Sequence, residues 1–141
     1  SLGITVLTAL ARQAATLLGP EFDIEITEAH HRHKKDAPSG TALQLGEAVA
    51  EARGLRLADV AVYNRHGLGD ERPRGAIGFA TVRAGAIVGD HSVLLVGEEE
   101  TLELRHHAAD RALFARGALR AATWSAGRSA GLYAMADVLG L

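Results

Sequence analysis

The 141 residues contain no cysteine. Neither a disulfide framework nor a thiolate zinc site can form, which fits a reducing, cytoplasmic setting. Aromatic residues are only 4% of the chain, too few to stack bases on exposed rings. The net charge of −2 gives no general attraction to phosphate backbones. Neither nucleic acid nor a membrane is expected as a partner, because no apolar run reaches the ~18–20 residues needed to span a bilayer. The first residues, Ser1-Leu2-Gly3-Ile4-Thr5, show no initiator Met and no basic n-region. They read as a chain taken from something longer, not as a signal peptide.

What is present suits one packed domain, or one domain with a helical appendage. Hydrophobic residues make up 48% of the chain, chiefly Ala, Leu and Val. The spacing of Leu2, Val6, Ala9, Leu10, Ala14, Leu17 and Leu18 predicts a helix over 2–18, closed by Gly19-Pro20. Residues 22–27 alternate apolar and polar and predict a half-buried strand. A basic loop follows, and Ser39-Gly40-Thr41 opens a helix to about Arg53, with Gly54 as its C-cap. Residues 60–63 suggest a short strand, and 64–70 a mobile loop rich in glycine and charge. Strands are predicted over 77–83, over 86–96 with an interruption at Gly89-Asp90, and over 101–107. Short turns between them suggest an antiparallel meander, with residues near Ile24 as a fourth strand. A helix from about Asp110 runs through Leu113, Phe114, Leu119 and Trp124, and 129–141 reads as an amphipathic helical tail. The expected fold is α+β: a mainly antiparallel or mixed sheet of about four strands, covered on one face by helices. A bare second face would call for another subunit.

The chemistry concentrates in Glu28-Ala29-His30-His31-Arg32-His33-Lys34-Lys35-Asp36-Ala37-Pro38-Ser39-Gly40-Thr41. A helix that begins at Ser39-Gly40-Thr41 presents unpaired N–H groups, which with its dipole form an anion site. The dipole contributes about 0.3–1 kcal/mol and each charge-assisted hydrogen bond roughly 1.5–3 kcal/mol. Taken alone, the turn is better read as a plain helix cap by Ser39 or Thr41. The histidines can carry a proton near neutral pH, and Lys34, desolvated beside other cations, could donate one. A solvated basic loop is the bland alternative. As a metal set, His30, His31 and His33 lie too close together and would need Glu28 as fourth ligand. Proton donors, lysines and an anion-binding helix start within fourteen residues are nevertheless hard to explain as mere surface. His106 and His107 end a strand on opposite faces and are read as structural. Glu98-Glu99-Glu100 is read as a solvated turn, and Arg111 and Arg116 as helix surface.

The run from Glu28 to Ala42 strongly resembles the signature of the dihydrodipicolinate reductase (4-hydroxy-tetrahydrodipicolinate reductase) family. The resemblance continues through Gly78-Phe79-Ala80-Thr81-Val82-Arg83-Ala84-Gly85, Ile87-Val88-Gly89-Asp90-His91 and the tail from Trp124 to Val138. It implies the substrate-binding and tetramer-forming C-terminal domain of an NAD(P)H-dependent oxidoreductase of lysine and diaminopimelate biosynthesis. It makes His30 the proton donor/acceptor, Lys34 a proton donor, His31 a substrate ligand, and Gly40 with Thr41 the clamp on a carboxylate of a cyclic dicarboxylate. It implies no metal, a homotetramer formed through the sheet face, and NADPH or NADH bound mainly by an N-terminal Rossmann domain. The Gly-x-Gly-x-x-Gly turn of such a domain is absent from these residues, so no cofactor-binding residue is expected here and the stretch alone should not turn over. Residues 110–141 would pack towards that module. The alternative is a non-catalytic ligand-binding or assembly module of the same fold.

Overall fold

The computed structural model describes residues 1–141 and shows a five-stranded mixed sheet with helices packed on one face. Helix α1 (Leu2–Leu18) starts at Ser1, whose Oγ accepts a 3.2 Å bond from the Ile4 N–H, and stops at Gly19, where φ reaches +65°. Leu7, Ala11 and Ala15, four residues apart, form its buried stripe. Together with the 3₁₀ turn Gly19–Glu21, the segment Leu2–Glu21 is long and apolar enough by length and composition alone to cross a membrane. That corrects the sequence expectation that no apolar run here is long enough. Here the Leu7–Ala15 stripe packs on α2 and the sheet, while Val6, Leu10 and Leu17 stay exposed.

Strand β1 (Asp23–His30) runs three residues further than its alternation suggested, so Glu28, Ala29 and His30 belong to the sheet and not to the loop. Helix α2 (Gly40–Ala52) follows, then a single helical turn α3 (Leu57–Val60) and a two-residue strand β2 (Ala61–Val62). Strands β3 (Ile77–Arg83), β4 (Asp90–Val96) and β5 (Thr101–His107) complete a sheet of order β2-β3-β1-β4-β5.

The meander does not form. Strands β3 and β4 are consecutive in the chain but not in the sheet, because β1 lies between them, parallel to β3 and antiparallel to β4. Helix α2 therefore sits in a crossover between parallel strands. Only β4 and β5 make the expected antiparallel hairpin. The physical reason lies in the core: β1 carries the fully buried Ile24 and Ile26, and the central place lets Ile77 and Phe79 flank them on one side and Val93 and Leu95 on the other. Leu45 and Val49 of α2, with the α1 stripe, close over this layer. A Cβ at Gly46 would come within 2.6 Å of the Phe79 ring, so glycine there sets how closely α2 approaches β3.

On the far face, Glu25 receives both terminal nitrogens of Arg65 at 2.8 and 2.9 Å and Nε of Arg72 at 3.0 Å, while Arg72 also bonds Asp23 at 2.6 Å. The segment expected to be a mobile loop is thus tied down across β1. Val82, on the same face, stays half exposed. At the C-terminal end, α4 (Ala112–Ser125) forms as predicted, but the tail over 129–141 is helical only at α5 (Met135–Leu139). The preceding segment turns at Gly127, φ +81°, and folds Tyr133 edge-on to Trp124 with ring centroids 5.2 Å apart. Phe114 and Leu119 of α4 are exposed.

Burial separates the two ends of the packing argument. Ile26→Ala, at a fully buried position, should cost about 2–5 kcal/mol, whereas Leu17→Ala, 76% exposed, should stay within ~0.5 kcal/mol. Chemical denaturation of the two variants checks the difference.

Candidate active site

Strand register explains how the site assembles. Along β1 the helix-facing positions are Ile24, Ile26 and then Glu28, because side chains alternate. Glu28 lies opposite Thr81 on β3 and His91 on β4, and His30 lies opposite Arg83. The sheet face that is apolar in its middle therefore turns polar at the C-terminal end of β1, beside the first turn of α2.

Glu28 is the centre of this cluster and only 3% exposed. Its Oε1 accepts from Nη2 of Arg83 at 2.7 Å, from the Ser39 backbone N–H at 2.9 Å and, at the long distance of 3.4 Å, from the Thr81 hydroxyl. Its Oε2 accepts from Nη1 of Arg83 at 2.8 Å and lies 2.6 Å from Nδ1 of His30. Burial alone would raise its pKa, but the Arg83 fork, His30 and the Ser39 N–H outweigh that and hold it below the usual carboxylate value. Arg83 in turn reaches the Asp36 carbonyl at 2.6 Å and so pins the loop from inside.

Ser39 is both capping residue and bridge. Its Oγ accepts from the Ala42 N–H at 3.2 Å and lies 3.0 Å from Nε2 of buried His91. Burial, reinforced by the neighbouring His30, lowers His91 to about 4, so its ring is neutral at physiological pH. The rings of His30 and His91 meet edge to face with centroids 5.1 Å apart.

With Ser39 committed to the cap, the N–H groups of Gly40 and Thr41 have no protein partner and face outward from the helix start. His31 is half-buried at the exit of β1, its ring centroid 6.2 Å from that of His33. Lys34 bonds Asp36 at 2.8 Å, so its ammonium meets a carboxylate where the sequence suggested only neighbouring cations. The loop is fastened by backbone bonds from Ala84 N–H to the His30 carbonyl (3.0 Å) and from Arg32 N–H to the Gly85 carbonyl (3.2 Å). His30, His31, Lys34, Gly40 and Thr41 thus all lie between the end of β1 and the start of α2. No group of three or more His, Cys, Asp or Glu side chains is arranged to hold a metal ion.

The predicted set missed Arg83, His91 and the anchoring role of Glu28. Continuing the β1 alternation two residues would have turned Glu28 inward. Arg83 needed the parallel β1–β3 register, and His91 the antiparallel β1–β4 register. His106, half-buried, points towards α1, where a Cβ on Gly3 would meet its ring at 2.6 Å, and His107 is exposed and bonds Asp90 at 2.6 Å. The two lie on opposite faces, as alternation required.

Residues 3–139 match the family description "Dihydrodipicolinate reductase, C-terminus". The chain belongs to this family. It is 59% identical over 142 residues to the 4-hydroxy-tetrahydrodipicolinate reductase of Brucella abortus (strain 2308), covering all of this chain and 53% of that protein. It is 57% identical over 141 residues to that of Parvibaculum lavamentivorans, covering all of this chain and 52% of the relative. Among solved structures it resembles a dipicolinate-bound dihydrodipicolinate reductase from Paenisporosarcina sp. TG-14, with a TM-score of 0.63 and 30% identity over 84% of this chain and 44% of that one. The chain spans about half the length of the curated relatives it matches and corresponds to the family's C-terminal domain.

Buried neutral His91 makes stability depend on pH. The unfolded ring takes up a proton near its ordinary value of 6.5 while the folded ring resists until about 4. The folded state is therefore fully favoured above pH ~6.5 and loses stability as pH falls towards 4, by on the order of 3 kcal/mol. His106, also lowered by burial, acts in the same direction. Denaturation measured across that window should show the slope, and His91→Gln should flatten it.

Proposed function

We propose that this chain supplies the substrate-binding and proton-transferring half of a 4-hydroxy-tetrahydrodipicolinate reductase, which reduces a cyclic dicarboxylate with NADPH or NADH in lysine and diaminopimelate biosynthesis. The observation that carries this is the juxtaposition of two unpaired N–H groups at the start of α2 with His30, held by its Nδ1 at the end of β1. A helix start binds a carboxylate without needing a buried counter-charge, and a fixed imidazole beside it can move a proton to or from the bound ring. The likeness to a dipicolinate-bound relative supports a planar dicarboxylate as ligand.

On this assignment Gly40 and Thr41 clamp one carboxylate through their N–H groups and the Thr41 hydroxyl, and His31 binds the substrate from the loop. His30 is the proton donor/acceptor, and Lys34, whose ion pair with Asp36 lies on the loop, is a proton donor. The glycine-rich phosphate turn of a dinucleotide site does not occur among these residues. A nicotinamide held by other residues would supply the hydride. We assign the 110–141 segment, with exposed Phe114 and Leu119, to contact with such a module. We assign the far sheet face around Val82 to a homotetramer, formed in the cytoplasm.

Titration of metal-stripped chain with pyridine-2,6-dicarboxylate tests the substrate site. Saturable binding is expected, weakened roughly tenfold or more by His31→Ala and by Thr41→Val, as for loss of one charge-assisted bond. Absence of binding both alone and with a nucleotide-binding module and cofactor present would remove the assignment. Where such a module accompanies the chain, Lys34→Ala should abolish most turnover while dicarboxylate binding stays measurable.

A further inference from the structure

We infer that Glu28, locked by Arg83, is a positioning residue for proton transfer: it fixes His30 as the Nδ1–H tautomer and leaves Nε2 as the nitrogen that exchanges a proton with the substrate. This rests on His30 being the proton-transfer group, as proposed above, and adds which of its atoms acts and what makes it so.

The chemistry follows from the contacts. An ionised carboxylate only accepts hydrogen bonds. Glu28 is held ionised by both terminal nitrogens of Arg83 and by the Ser39 N–H. Its Oε2, 2.6 Å from Nδ1 of His30, therefore requires that nitrogen to carry a hydrogen. In the neutral ring the lone pair is then on Nε2. When the ring is protonated, the transferable proton is the one on Nε2, and its departure leaves Nδ1–H in place against Glu28. No rotation or second proton shift is needed between turnovers.

Gly89 supplies the second, independent observation. Its φ is not in the left-handed region, so the backbone does not demand glycine there. A Cβ at this position would instead lie 3.0 Å from Nε2 of His30 and 3.4 Å from Cδ2. The missing side chain leaves the working nitrogen unobstructed. Glu28 and Gly89 thus bracket the imidazole, one holding the inner nitrogen and the other clearing the outer one. Glu28 also ties this ring to the anion clamp, since its other oxygen holds the Ser39 N–H at the start of α2.

The first experiment reads the imidazole ¹⁵N shifts of His30 in the unaltered chain, above the pH at which the ring is protonated. The Nδ1–H tautomer is expected; a dominant Nε2–H tautomer would overturn the inference. In Glu28→Gln the amide oxygen can still accept from the Ser39 N–H, but an amide nitrogen facing Nδ1 donates, so the ring should switch to Nε2–H. With a nucleotide-binding module present, kcat should then fall on the order of 10²-fold, with KM for the dicarboxylate within about threefold. An unchanged kcat would sink the positioning role. Should Glu28→Gln fail to fold, Gly89→Ala decides: it should keep the Nδ1–H tautomer and still lower kcat, and full activity would reject Nε2 as the working atom. Dicarboxylate binding by the unaltered chain is read separately, so loss of the substrate assignment and loss of this inference give different results.

Discussion

A buried carboxylate has to be compensated, and around Glu28 that requirement organises one end of the molecule. The side chain is almost wholly inaccessible, where an unpaired charge would cost about 3–5 kcal/mol. Arg83 meets both oxygens, and the Ser39 N–H and His30 take remaining acceptor positions. Each partner comes from a different place: β3, the cap of α2, and the last residue of β1. Satisfying one charge therefore sets the spacing of three elements at once. The same Arg83 reaches on to the Asp36 carbonyl, so the loop between β1 and α2 is held from beneath by the residue that neutralises Glu28.

Such a cluster depends on topology. If β3 and β4 paired as a simple hairpin, β1 would lie outside them, and Arg83 and His91 could not flank Glu28 from opposite sides. Placing β1 between β3 and β4 puts one polar side chain on each neighbour at the level of Glu28. The parallel pairing also brings the ends of β1 and β3 together, so the connection at 84–85 can bond the loop backbone. Apolar packing of Ile24 and Ile26 selects this arrangement, and the site follows from register.

The loop itself was legible because its signals are local. His30, His31, Lys34 and the Pro38-Ser39-Gly40-Thr41 turn lie within twelve consecutive residues, and α1, α2, β3, β5 and α4 are marked by periodicity and caps. What depended on distant partners was not legible. Arg83 is 55 residues from Glu28 and looks like an ordinary strand terminus. His91 follows an aspartate at the start of a strand, and although it lies in a stretch that resembles the family, nothing local assigns it a place beside Glu28. The sheet order failed because consecutive strands with short links were assumed to be neighbours. The tail over 129–141 was read as one amphipathic helix, whereas Leu132 is fully exposed and Tyr133 turns back on Trp124.

Charge balance at the end of β1 fits the proposed chemistry. Glu28 and Arg83 cancel, and His91 is kept neutral by its burial, so the buried part of the site has no net charge before His30 is considered. A proton on His30 then adds one positive charge next to the partial positive charge of the α2 start. His91 is poorly suited to take that proton in its place, since burial disfavours its charged form. Two histidines in edge contact thus differ: one braces the helix cap through Ser39, while the other would be the proton carrier in the proposed reaction. A dianionic ring entering beside Gly40 and Thr41 would meet free N–H groups and the loop cations, with the carboxylates of Glu28 and Asp36 already paired to Arg83 and Lys34.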